Sequence, residues 1–127
     1  MNNRIPEWVS RYISIPYDAM NCWQLVMKVY AAEFGIGIGD KDQQSDYLRD
    51  RNWVDVIQEG LGGLEGDVIL FRMDKRVKHV GLLLDSENML HTLEGCNSCI
   101  ERWHSPIWES RLVGIYRHSK RCTRINN

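Results

Sequence analysis

The 127-residue sequence has no apolar run approaching the roughly 20 residues needed to span a bilayer, and its N-terminus lacks the shorter apolar core of a signal peptide. Those two absences set the expectation of a soluble chain made in the cytoplasm, with no membrane insertion. An excess of either charge is also missing: 16 Lys and Arg stand against 17 Asp and Glu, a formal net charge of -1. No overall field therefore recommends nucleic acid or an anionic surface as the partner. Internal repeats and low-complexity segments are absent, and no second C-x-x-C accompanies Cys96-Asn97-Ser98-Cys99.

What is present is ordinary for a folded enzyme-sized domain, with 43% hydrophobic and 26% charged residues. The length suits one domain over residues 1–127 that buries a core without staples, with polar residues 118–127 expected as a flexible tail. Near the start, Pro6 and Glu7 precede Trp8, Val9, Tyr12 and Ile13, which suits a short docking helix. Ile15-Pro16-Tyr17-Asp18 reads as an extended or turning segment, because proline drives the residue before it out of the helical region. From Cys22 the apolar positions 22, 25, 26, 29 and 30 recur at helical spacing, with Asn21 as N-cap and Gly35 as the stop after Phe34. Residues 53–57 read as a short strand or a covering segment, and the role of 41–64 stays open between a lid and a cover.

From Asp67 the character changes to sheet. Asp67 to Arg72, His79 to Leu84, Met89 to Leu93, Ile100 to Trp103 and Leu112 to Arg117 read as about five strands, mostly antiparallel because their connections are short. The expected class is α+β. Asp67, following Gly66, is read as shaping the turn into its strand.

Cys22 falls in the first turn of its helix, where unpaired N–H groups and the helix dipole favour a thiolate. A thiol nucleophile needs a base, and among four histidines His79 and His91 sit on the two arms of one hairpin. Parity tests whether they can cooperate. A three-residue loop, Asp85 to Glu87, pairs 84 with 88 and 81 with 91, which makes the two histidines diagonal neighbours on one face. A four-residue loop would put them on opposite faces. Cys22 is then the attacking thiolate, His79 the base, and His91 the group that orients it. Tyr17 is a candidate hydroxyl donor to the same site, and Trp23, beside Cys22, a candidate substrate contact.

The order Tyr17, Asn21-Cys22-Trp23-Gln24-Leu25-Val26, Gly66-Asp67-Val68-Ile69-Leu70-Phe71, His79-Val80-Gly81 and Met89-Leu90-His91 resembles the NlpC family of papain-like cell-wall cysteine peptidases. Val29-Tyr30 to Phe34-Gly35-Ile36 and the ending Arg111 to Arg117 look most like its bacteriophage tail-associated branch. The resemblance implies a papain-like fold, with a cysteine-bearing helix packed on an antiparallel sheet that carries the histidines. It implies hydrolysis of amide bonds in peptidoglycan stem peptides without a cofactor, with phage tail proteins as candidate partners and delivery to the wall expected by a tail, a holin or a partner domain. Asn21 and Trp23 stand where that family often has Asp and Ser or Tyr, and Gln24 where glycine is frequent. Thiol tuning and substrate shape are expected to differ accordingly, with Gln24 on the helix surface near the cleft.

Two readings compete. One is a non-catalytic tail-tip component that keeps the fold for assembly. The other is a small zinc-binding interaction module in which Cys96 and Cys99 join His91 or His104. Because His91 cannot both ligate such an ion and orient His79, the zinc module and the triad exclude each other.

Overall fold

The computed structural model describes residues 5–39, 52–74 and 78–122. The chain enters through a 3-10 helix, Glu7–Tyr12, which buries Trp8, Val9 and Tyr12. Helix α1, Cys22–Val29, follows and buries Trp23, Leu25, Val26 and Val29. Asn21 caps it as expected, and Gln24 completes a reciprocal box: the Asn21 side chain accepts from the Gln24 N–H, and the Gln24 side chain accepts from the Asn21 N–H, both at 2.9 Å. Gln24 is therefore a helix-starting residue. The helical rise continues to Phe34, but Tyr30–Phe34 is a π-turn. Gly35, at φ 68°, ends it, and the N–H groups of Gly35 and Ile36 both return to the Tyr30 carbonyl.

Among the described residues the sheet has six antiparallel strands, against the five or so expected from the sequence. They are β1 Trp53–Asp55, β2 Val68–Arg72, β3 Lys78–Leu83, β4 Asn88–His91, β5 Cys99–Arg102 and β6 Leu112–His118, in the order β1-β6-β2-β3-β4-β5. Residues 53–55 thus resolve as a strand, on the edge of the sheet beside β6. A short helix, α2 Pro106–Glu109, lies between β5 and β6 and buries Trp108.

Alternation along the strands gives the sheet two apolar faces. Val68, Leu70, Val80, Leu82 and Leu90 pack with the helical layer of Trp8, Leu25, Val26, Val29 and Tyr30. Ile69, Phe71, Leu83, Met89 and Ile115 pack with Val56 and Trp108 on the other face. The parity of β3 and β4 therefore assigns His79 and His91 to the second face. There the His79 ring stacks on Phe71 at 5.9 Å, and both histidine rings lie about Trp108, at 5.5 and 5.4 Å between centroids.

Residues 118–122, expected as part of a flexible tail, are structured. His118 closes β6 opposite Trp53 and is buried, and a 3-10 turn, Ser119–Arg121, follows. The Arg121 guanidinium donates to the Glu65 carbonyl at 2.6 Å and to Asp67 at 3.3 Å. Specific contacts of this kind order a polar segment that composition alone marks as free. The expected tail from 123 onward lies outside the described residues, as do residues 41–51 of the stretch that composition left open.

Asp67 does shape its turn, accepting from the Leu64 N–H at 2.8 Å. It is also a buried carboxylate, at 0% exposed. Its two oxygens receive Arg117 in a bidentate pair at 3.0 and 2.9 Å, tying the start of β2 to the end of β6. Gly66, just before it, has φ 88° and packs so closely that a Cβ there would come within 2.6 Å of the Phe34 ring.

Candidate active site

The hairpin of β3 and β4 has the odd loop that the histidines require. Leu82 pairs with Leu90 and Leu83 with Met89, and the Leu84 N–H reaches the Asn88 carbonyl, which leaves Asp85, Ser86 and Glu87 as the loop. Asp85 builds it, one carboxylate oxygen accepting from the N–H groups of Glu87 and Asn88 at 2.9 and 2.8 Å. Its register brings His79 Nε2 to 2.8 Å from His91 Nδ1. Gly81 keeps the space open, since a Cβ there would lie 3.3 Å from the His91 Cβ and 3.1 Å from the Met89 sulfur.

The chain of bonds does not stop at His91. Its Nε2 lies 2.7 Å from Glu101 Oε1, and Trp108 Nε1 donates to Glu101 Oε2 at 2.9 Å. A carboxylate only accepts, so the His91 proton sits on Nε2, Nδ1 is bare, and His79 donates to it from its own Nε2. His79 Nδ1 is left with a free lone pair. One exposed carboxylate on β5 thereby sets both tautomers, and sequence reasoning missed it. The signal was one of register: His91 pairs with Cys99, which makes Glu101 its diagonal neighbour on the same face. The long connection from 92 to 98 hid that register.

Cys22, His79 and Tyr17 line one cleft of about 340 Å³ with Met73, Lys78, Thr92, Leu93 and Glu94. The cleft opens where β4 leaves β3. The thiol comes from the helical face of the sheet and His79 from the other, so they share a cleft at the end of the strands. Tyr17 is brought there by a strap: Ser14 N and Tyr17 N donate to the carbonyls of Ser98 and Cys96, Ser98 N donates to the Ile15 carbonyl, and Pro16 bridges to Asn97. The buried Ser98 hydroxyl holds both ends, donating to the Tyr12 carbonyl at 2.6 Å and accepting from the Ile15 N–H at 2.9 Å. The Cys96-to-Cys99 segment is thus an anchor for the approach to Cys22.

Trp23 does not join the cleft. It is 3% exposed, packs in the helical layer, and its ring N–H donates to the Gly39 carbonyl. One residue further along a helix turns a side chain by about 100°, so the neighbour of an edge cysteine faces the core. The expected substrate contact is corrected to a core residue.

The electrostatics also differ from the expectation of a resting thiolate. Burial pushes the Cys22 thiol above its ordinary value, and the N–H groups of Val80, Trp23 and Cys22 itself only oppose that shift. Burial, with the His91 ring second, lowers His79 to about 3. Burial also lowers His91, against the raising effect of Glu101. The resting site is a neutral thiol beside a neutral imidazole. Tyr17, raised first by burial and then by Cys22, Glu94 and Asp18, stays a hydroxyl donor at neutral pH.

The zinc knuckle is not assembled as the sequence suggested. His104 pairs with Glu109 outside the cleft, and Cys96 is not in the cluster of possible ligands that forms, which is His91, Cys99 and Glu101. All four cysteines are free thiols, and no helix among the described residues is long and apolar enough to cross a membrane.

The NlpC/P60 family model matches residues 9–117 of this chain. Among solved structures, the chain is similar to a protein described as similar to lipoprotein, of the NLP/P60 family, from Staphylococcus aureus subsp. aureus Mu50. The TM-score is 0.63 at 21% identity, over 85% of this chain and 38% of that one, so this chain spans well under half of its length. No curated protein sequence matches.

Proposed function

The chain belongs to the NlpC/P60 family, and from that premise we propose that it is a cysteine peptidase or amidase acting on the peptide stems of peptidoglycan. Family membership supports a cell-wall peptidase or amidase in kind. The observation that carries the finer reading is the 2.8 Å bond from His79 Nε2 to His91 Nδ1, in a hairpin whose His79 shares a cleft with Cys22.

The residues then have defined roles. A stem peptide entering the cleft places its amide carbonyl against Cys22. As the sulfur forms a bond to the carbonyl carbon, the thiol proton passes to His79 Nδ1, the ring nitrogen that the hydrogen-bond chain leaves bare. The charge that appears on His79 is shared through His91 toward Glu101, so the carboxylate at the end of the chain stabilises the proton-loaded state. The Cys22 N–H and the Tyr17 hydroxyl are the donors for the oxyanion. Collapse expels the amine, which takes the proton from His79, and water then releases the acid from the thioester. Because both partners start neutral, proton transfer accompanies attack. Thr92, buried with an unpartnered hydroxyl in the cleft wall, is available to a substrate polar group.

The sequence resemblance to the tail-associated branch supports a phage or prophage origin, with delivery to the wall by a tail or lysis system. Digestion of purified peptidoglycan by wild type and Cys22→Ala, with mass analysis of the released fragments, tests the reading. Wild type releases stem-peptide fragments and the variant none. Equal behaviour of the two overturns the enzyme in favour of an assembly component.

A further inference from the structure

The hairpin of β4 and β5 brings together three side chains whose combined chemistry exceeds the positioning of a base. His91 and Cys99 are cross-strand partners, and Glu101 follows two residues along β5 on the same face. One imidazole nitrogen, one sulfur and one carboxylate oxygen consequently lie within 4.8 Å of one another. His91 is the buried floor of this cluster, at 1% exposed, while Cys99 and Glu101 open to solvent and give an ion a way in. The set has both a thiolate and an imidazole ligand, which selects a borderline-soft cation of the zinc class over magnesium or calcium, whose sites are built of oxygen.

The geometry is close to that of a coordination sphere. Bonds of about 2.0 to 2.2 Å from zinc to nitrogen and oxygen, at a tetrahedral angle, put those two ligand atoms roughly 3.3 Å apart. The His91 and Glu101 atoms are now 2.7 Å apart, as a hydrogen bond. A swing of the half-exposed Glu101 side chain by well under an ångström covers that difference, and the exposed Cys99 sulfur, within 4.8 Å of the other two atoms, must close to roughly 3.6 Å of them.

We propose that His91 Nε2, Cys99 Sγ and the Glu101 carboxylate form a three-ligand site for a zinc-class divalent cation, with the fourth position left to water, and that its occupation switches the catalytic chain off. The switch rests on the peptidase reading above; the binding site does not. On binding, the Cys99 thiol proton leaves to solvent. The His91 ring proton must vacate Nε2 for the metal and moves to Nδ1. His79 Nε2 then faces a donor and must accept, so its own proton moves to Nδ1. Each ring keeps one proton, but the lone pair that receives the Cys22 proton is gone.

The binding test uses the full chain carrying Cys22→Ala, so that the catalytic thiol contributes nothing. Titrated with cobalt(II), this variant takes up one equivalent and shows the near-ultraviolet thiolate-to-cobalt charge-transfer band, which zinc abolishes by displacement. Adding Cys99→Ser removes the band and weakens zinc by more than the roughly 10- to 100-fold that loss of an outer-shell partner costs. No band in Cys22→Ala, or a band that survives Cys99→Ser, overturns the site. In the second arm, Cys99→Ser with Cys22 intact keeps its basal rate on peptidoglycan in chelator-treated buffer. Buffered zinc inhibits wild type but leaves this variant at least tenfold less sensitive. Equal zinc sensitivity of the two overturns the switch. Since the first arm needs no turnover, a failure of the peptidase reading is distinguishable from a failure of the metal site.

Discussion

Cys22 carries two opposed influences. The start of a helix offers it backbone N–H groups, and the fold buries it; the second prevails. The rate of alkylation of Cys22 in the free protein is therefore expected to rise with a midpoint above the ordinary thiol value of about 8.5. A midpoint below it would show a resting ion pair. Single-residue space matters equally on the other side of the site. A Cβ at Gly81 would press on the Cβ of His91 and on the Met89 sulfur, and only the methionine end is free to yield. Gly81→Ala should displace His91 from His79, lowering kcat by about tenfold or more while unfolding changes by only ~1 kcal/mol. Loss of stability with unchanged kcat would place the constraint on the methionine instead.

At the scale of elements, the cleft depends on pieces that carry no chemistry. The strap of residues 14–17 lies along 96–98 and delivers both Tyr17 and the start of α1. Ser98 is its fastener, one buried hydroxyl accepting from Ile15 in the strap and donating to the Tyr12 carbonyl just ahead of it. Ser98→Ala leaves the Tyr12 carbonyl and the Ile15 N–H unpartnered by that hydroxyl. It is expected to cost ~1–3 kcal/mol in denaturant unfolding and, by displacing the oxyanion donors, to lower kcat more than it raises KM. A variant with wild-type stability and kcat would mean that the backbone bonds of the strap suffice. The loop of Asp85, Ser86 and Glu87 is the other such piece, because its odd length puts both histidines on one face.

Across the whole molecule, packing both faces of the sheet is what makes the site dry, and dryness has a pH signature. An unfolded histidine takes a proton near 6.5, whereas folded His79 takes one only near 3. Between those values the unfolded state binds more protons, so the free energy of unfolding rises with pH and the stability is complete above about 6.5. The thermal stability of wild type should accordingly fall as pH drops from about 6.5 toward 3. Replacement of His79 by Gln should flatten part of that slope. An equal slope in the variant would assign acid sensitivity to other groups. The Asp67–Arg117 pair, buried between β2 and β6, is a second whole-fold device, since removing either partner strands a charge in the core.

The sequence by itself determined the features that are local or periodic. It determined that α1 starts at Cys22 under the Asn21 cap, that the helical rise stops at Gly35, and that His79 and His91 share a face only across an odd loop. Each follows from spacing of three or four, from period two, or from the fixed conformational taste of one residue. What the tertiary structure alone decided involves partners distant in the chain. The register of β5 on β4 set Glu101 beside His91, the strap on Ser98 carried Tyr17 to the cleft, and Arg121 on Asp67 folded part of an apparent tail. Burial by elements distant in the chain fixed Trp23 in the core and left Cys22 and His79 both neutral. Desolvation is a sum over every element that surrounds a group, so it exists only once the whole chain has closed around it.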